Sequence, residues 1–135
     1  MGYSDKQLFR VTLPNYDFGA DANEKYSFRL PKRDNGDPMQ GQLVKIGCMI
    51  TEAFAATTTP ASIELGTAAD ADAFAKLNIP DLAADVDCYD ETDDTDAIIA
   101  DDIPAGTLLE VNLTQATDDT SDTGQGIPFF DFWVW

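Results

Sequence analysis

Apolar and polar residues alternate with a period of two along much of the chain. Phe9, Val11 and Leu13 share one face of a segment whose other face carries Arg10 and Thr12. Such alternation is what a half-buried β-strand requires, because successive side chains point to opposite sides of the sheet. Tyr26, Phe28 and Leu30 repeat the pattern, with Ser27 and Arg29 opposite. Between Leu43 and Thr51, Val44, Ile46, Cys48 and Ile50 fall on one side and Lys45 and Gly47 on the other. Ile63 and Leu65 alternate with Ser62 and Glu64, and Leu109, Val111 and Leu113 with Glu110 and Asn112. No long helical crossover separates these segments, so antiparallel pairing is expected.

The connections carry turn chemistry. Asp34-Asn35-Gly36-Asp37-Pro38 combines residues that accept left-handed backbone angles with a proline that cannot donate to a ladder. Pro60, Pro80, Pro104 and Pro128 interrupt any helix around them. One short helix is predicted near residues 70–77, capped by Asp70 or Asp72, with Phe74 and Leu77 on a common face. The Thr-, Asp- and Ser-rich run 115–126 reads as an exposed loop, in which Gly124-Gln125-Gly126 lends flexibility before the last strand. The expected fold is therefore all-β: a single antiparallel sandwich or jelly-roll-like domain over residues 1–135, with one short helix and an acidic loop excursion over 81–102.

The last nine residues, Ile127-Pro128-Phe129-Phe130-Asp131-Phe132-Trp133-Val134-Trp135, hold five aromatics. As a strand, they give an apolar face of Phe130, Phe132 and Val134 for the core, and an opposite face of Phe129, Asp131, Trp133 and Trp135. That second face holds more ring surface than a monomer usually leaves in water, and aromatic residues anchor interfaces. Phe129, Trp133 and Trp135 are accordingly expected to meet a subunit or partner, the alternative being cover by another layer of the same domain.

Charge adds a second asymmetry. The 135 residues carry 25 acids, 8 bases and no histidine, a net charge of −17. From Met1 to Lys45 seven bases face six acids, whereas from Ile46 to Trp135 the single base Lys76 faces 19 acids. Nucleic acid and anionic membranes are not expected as partners, because both need cations to replace counterions. Without imidazole, Ser-His-Asp and Cys-His nucleophiles and the commonest transition-metal ligand are excluded. Carboxylates are too abundant for any pair of them to signal catalysis, so no enzyme activity and no cofactor are expected.

Asp93, Asp94 and Asp96 lie in an acid cluster of the kind Ca²⁺ favours, but the run lacks the alternating ligands, central glycine and distal glutamate of an EF-hand, so a solvated loop is the stronger reading. Cys48 and Cys88, 40 positions apart, are expected to be free thiols: Cys48 alternates with core positions, and Cys88 sits among acids that raise its pKa. No apolar run reaches the length of a membrane span, and the opening MGYSDKQLFR has no signal-peptide h-region, so use without Sec-type export is expected.

Residues 58–75, Thr-Thr-Pro-Ala-Ser-Ile-Glu-Leu-Gly-Thr-Ala-Ala-Asp-Ala-Asp-Ala-Phe-Ala, resemble small virion proteins of tailed bacteriophages, as do Asp94-Thr95-Asp96-Ala97-Ile98-Ile99 and the Pro104-Ala105-Gly106-Thr107 approach to the terminal strands. The likeness spans roughly residues 58–135; the extreme acidity and the two terminal tryptophans depart from it. It implies a non-catalytic capsid decoration (cement) protein, made in the host cytoplasm and carried on the virion surface, with the major capsid protein and copies of itself as partners. A homotrimer is favoured, since local threefold positions are natural docking sites. In that role the near-neutral segment 1–45, a contact arm that includes Arg10, Arg29, Lys32 and Arg33, would face an acidic shell while the acidic remainder faces solvent. The alternatives are a tail or head-fibre base module and a Ca²⁺-dependent carbohydrate-binding sandwich with Trp133 and Trp135 as the sugar platform.

Overall fold

Every segment with a period of two forms a strand in a computed structural model, which describes residues 6–19, 22–55, 59–83, 85–115 and 123–135. Among the described residues the strands are β1 (Gln7–Thr12), β2 (Tyr16–Asp17), β3 (Glu24–Phe28), β4 (Gly41–Ala55), β5 (Ala61–Gly66), β6 (Ala75–Ile79), β7 (Cys88–Asp90), β8 (Asp102–Ile103), β9 (Leu109–Thr114) and β10 (Thr123–Val134). One sheet runs β1-β10-β4-β7, with β2 on β10 and β8 on β4; the other runs β3-β9-β5-β6. All pairings are antiparallel.

With the two-residue strands β2 and β8 set aside, the strand order becomes 1-8-3-6 in one sheet and 2-7-4-5 in the other. First pairs with last, second with seventh, third with sixth and fourth with fifth, as when one long hairpin is rolled into two layers. The inner faces share a core that includes Phe18, Ile46, Ile63, Leu65, Leu77, Leu109, Phe130 and Phe132, each fully buried. Phe132 on β10 lies 6.0 Å from the Phe28 ring of β3 and 6.4 Å from Phe9 of β1, which places β1 and β3 along the same rim of this sandwich-like body.

The short helix expected over residues 70–77 is absent, and all described residues are free of helix. Thr67 and Asp70 bond each other's backbone, Asp70 O accepts from Ala73 N, and Phe74 N returns to Leu65 O, so the span is a turn that leads straight into β6. Ala75, Leu77 and Ile79 then alternate into the core. Burying Leu77 and Ile79 stabilises by about 1.5–3 kcal/mol each, more than the few tenths per residue that helix propensity offers. Gly66 makes the turn possible, because a Cβ there would overlap the carbonyl oxygens of Asp70 and Ala71.

Strand β4 departs from its expected facing. A bulge lies between the Asp131–Lys45 and Phe132–Leu43 pairs, so Val44 is passed over. Leu43 takes the core position in place of Val44, and the register resumes inward at Ile46 and Cys48. Gly124 and Gly126 do not precede the last strand as a flexible lead; both lie within β10. A Cβ on Gly124 would stand 2.5 Å from the Phe54 ring, and one on Gly126 would overlap Cys48 Sγ, so bare backbone passes over two core side chains. Most of the loop expected over 115–126, namely 116–122, lies outside the described residues.

The acidic excursion 81–102 folds back onto the sheets. Leu82 bridges Phe54, β7 pairs with β4, and Asp101 O accepts from Leu43 N. Residues 6–45 of the near-neutral segment supply β1, β2, β3 and the start of β4, while residues 1–5 lie outside the described residues. The 34–38 turn forms as its sequence requires: Gly36 adopts φ +89°, Asn35 Oδ1 accepts from Asp37 N, and Lys32 bridges Pro38. No described helix is long and apolar enough to cross a membrane.

Candidate docking surface

The outward face of the β1-β10-β4-β7 sheet is built from three cross-strand rows. Leu8, Arg10 and Thr12 of β1 stand opposite Trp133, Asp131 and Phe129 of β10, which in turn face Gln42, Lys45 and Gly47 of β4.

The middle row alternates in sign over three strands, and Lys45 reaches diagonally to Asp90 of β7, the residue in register with Gly47. Arg10 donates from Nε to Asp131 Oδ1 at 2.6 Å and from Nη2 to Oδ2 at 2.8 Å, and Lys45 Nζ reaches Asp90 Oδ2 at 3.0 Å. The hydrogen bond to Asp131 raises the Arg10 pKa, and the bond to Asp90 does the same for Lys45. Burial pushes the Asp90 carboxyl up, but bonds from the Thr92 hydroxyl and amide and from Lys45 outweigh it and hold the group below the ordinary aspartate value. Neighbouring Glu91 moves the other way, raised by burial and by the Asp90 charge.

In the Thr12 row Phe129 is covered by its own chain. Its ring lies across Gly47, where a Cβ would stand 2.5 Å from Cζ, and the Arg10 guanidinium sits 4.8 Å above its centroid. At 4% exposure Phe129 has no surface to offer a partner, so of the three aromatics expected at an interface only Trp133 and Trp135 reach solvent.

The Leu8 row is the apolar one. Leu8 is 59% and Trp133 38% exposed, side by side on β1 and β10. Trp135 continues the line, joined to Gln40 by two backbone hydrogen bonds, with Lys6 Nζ 4.5 Å over its ring. Trp135 also walls a cleft of about 370 Å³ with Gln40, Gly41, Asp102, Ile103 and Pro104.

The cations gather at the same end. Lys32 and Arg33 share a cleft of about 250 Å³ with Gln7, the first residue of β1, and Arg29 is exposed just beyond β3. The structure thus brings Trp133, Trp135, Arg10, Lys32 and Arg33 to one end and rim of the sandwich, with Arg29 close by in the chain. Leu8 and Lys6 belong to the surface although neither is expected there from the sequence. Leu8 did carry a signal: it is an apolar residue on the polar face of its strand.

Other expected sites resolve differently. Asp93 Oδ2 accepts from Asp90 N at 3.0 Å and Asp94 Oδ2 from Asn78 N at 3.2 Å, so these carboxylates fasten a turn, while Asp96 is exposed. Among the described residues no group of three or more acids or cysteines is placed to hold a metal ion. Cys48 is buried and Cys88 half-buried on the opposite face of adjacent strands, both free, and burial raises both thiol pKa values.

No protein-family model matches the chain, and no curated protein matches it in sequence.

Proposed function

We propose that this chain is a structural virion component, a decoration protein that settles on the exterior of a tailed-phage capsid and stabilises it without chemistry. The observation that carries the reading is the exposed Leu8–Trp133 pair continued by half-buried Trp135, with Lys6, Arg10, Lys32 and Arg33 around it on a molecule of net charge −17. Rings flanked by cations suit an acidic protein surface: the rings supply desolvated anchors, and the cations steer approach.

The strand order 1-8-3-6 over 2-7-4-5 supports assigning the sandwich to the jelly-roll kind, an architecture that serves capsid and lectin domains alike. Fold alone does not choose between them. The surface favours the capsid, since Lys6 stacks on Trp135 and two of the three carboxylates that a calcium-dependent lectin would use, Asp93 and Asp94, accept from backbone amides. Many copies on a symmetric shell turn a modest single contact into full occupancy, with copies grouped as trimers at local threefold positions. Sedimenting the purified chain with capsids stripped of it tests the reading: the chain pellets at stoichiometric occupancy if it is a decoration protein and stays in the supernatant if it is not.

A further inference from the structure

The 94–100 stretch covers one rim of the sandwich, whereas among the described residues no strand pairs with the outer edges of β1 and β3 at the other. On the far rim the 94–100 stretch overlies β6: Lys76 N donates to Ala97 O at 2.8 Å, Asn78 N donates to the Asp94 carboxylate, and Ile98 bridges Ala75. Ala75, Leu77 and Ile79, which face the core, are at most 1% exposed. On the near rim, among the described residues, β1 pairs only with β10 and β3 only with β9.

The open edge of β1 can be assigned residue by residue. Leu13 N donates to Pro128 O in register with β1 and β10, and backbone groups alternate in direction along an antiparallel ladder. Val11, Phe9 and Gln7 therefore turn their N–H and C=O towards β10, and Leu8, Arg10 and Thr12 turn theirs outward. The inward side chains of the two rim strands, Phe9, Val11, Tyr26 and Phe28, are only partly buried, so the seam between the sheets is incompletely closed.

Charge selects the occupant. Residues 6–12 and 24–33 carry six bases against Glu24, a net of +5 that falls to +3 where Asp131 pairs with Arg10 and Glu110 with Lys25, whereas the rest of the chain carries Lys45 and Lys76 against 24 acids. Twofold pairing of β1 with β1 of another copy would set these cations against each other, and this chain's own Asp90, Asp93 and Asp94 are held in a turn. We infer that an acidic, extended segment of the shell protein adds to the outer edge of β1 as a further strand. Its carboxylates lie beside Lys6 and Arg10, and its alternate apolar side chains close the Phe9–Phe28 seam. The inference rests on the capsid reading and gives it a docking mode.

The probe is a capped seven-residue peptide of alternating aspartate and valine, titrated into the full chain and followed by backbone amide shifts and hydrogen exchange. Saturable binding that weakens with added salt and protects the amides of Leu8, Arg10 and Thr12 is expected. Thr12→Pro removes one outward N–H while leaving the ladder to β10 intact, and should weaken binding at least about tenfold at unchanged thermal midpoint. Equal affinity of Thr12→Pro, equal binding of a lysine–valine peptide, or self-association through β1 in place of peptide uptake would each overturn strand addition. The two readings also fail separately. If Thr12→Pro fills capsids as fully as the parent chain, strand addition is wrong and docking stands; if the parent chain takes up the peptide on β1 but never binds capsids, the edge keeps its preference and the virion role falls.

Discussion

Arg10 and Asp131, 121 positions apart in sequence, form a two-pronged ion pair across β1 and β10, with the carboxylate side chain 8% exposed and the guanidinium 55%. The asymmetry matters more than the pairing. A buried carboxylate that loses its cation is stranded, whereas an exposed guanidinium that loses its anion returns to water.

Arg10→Ala is therefore expected to destabilise the chain more than Asp131→Asn, although both delete the same pair. Urea unfolding of the two variants beside the parent chain checks the order of their midpoints. Equal midpoints would show that the pair behaves as an ordinary surface salt bridge.

Two glycines with crowded surroundings should respond differently to a methyl group. At Gly66 the added Cβ meets backbone oxygens of Asp70 and Ala71 that cannot move without opening the β5–β6 turn; at Gly47 it meets the Phe129 ring, which can tilt. Gly47→Ala should cost about 1–3 kcal/mol, the range for overpacking, and Gly66→Ala more than that. Thermal unfolding of the single variants measures both.

Acid stability should depend on Asp90. Its folded pKa lies below its ordinary value of 3.8, so its contribution is fully present above that value and disappears as pH falls through the folded one. Glu91, raised in the fold, contributes in the opposite sense, favouring the folded state on the acid side of 4.5 and losing that contribution as pH rises through its folded value. The stability gap between the parent chain and Asp90→Asn should accordingly be wider at pH 7 than at pH 3. Denaturant titrations at the two pH values check this, and a gap that does not narrow in acid contradicts the assignment.

The sequence revealed the strands where alternation was clean, as in β1, β3, β5, β9 and β10, because one buried face leaves a direct mark on residue order. It misled where a shorter run fitted two periods. Ala75-Lys76-Leu77-Asn78-Ile79 alternates as well as any strand, yet Asp70, Asp72, Phe74 and Leu77 also satisfy a helical spacing, and only the β5 partner decides between them. The bulge at Val44 left no trace in the pattern, since Leu43 and Val44 are both apolar. At the candidate surface, the aromatic content of the C-terminus pointed to Trp133 and Trp135 but could not separate them from Phe129. That distinction comes from the absence of a side chain on Gly47, a residue on another strand that sequence alone does not place opposite Phe129.

The most direct test replaces both tryptophans at once. Trp133 and Trp135 contribute little to the core, so Trp133→Ala combined with Trp135→Ala should unfold near the parent midpoint. Occupancy of the double variant on capsids, measured by quantitative gel analysis of purified particles, is predicted to drop at least about tenfold, the effect of losing roughly 1.4 kcal/mol or more of contact. A folded double variant that occupies capsids as fully as the parent chain would contradict the assignment of this surface.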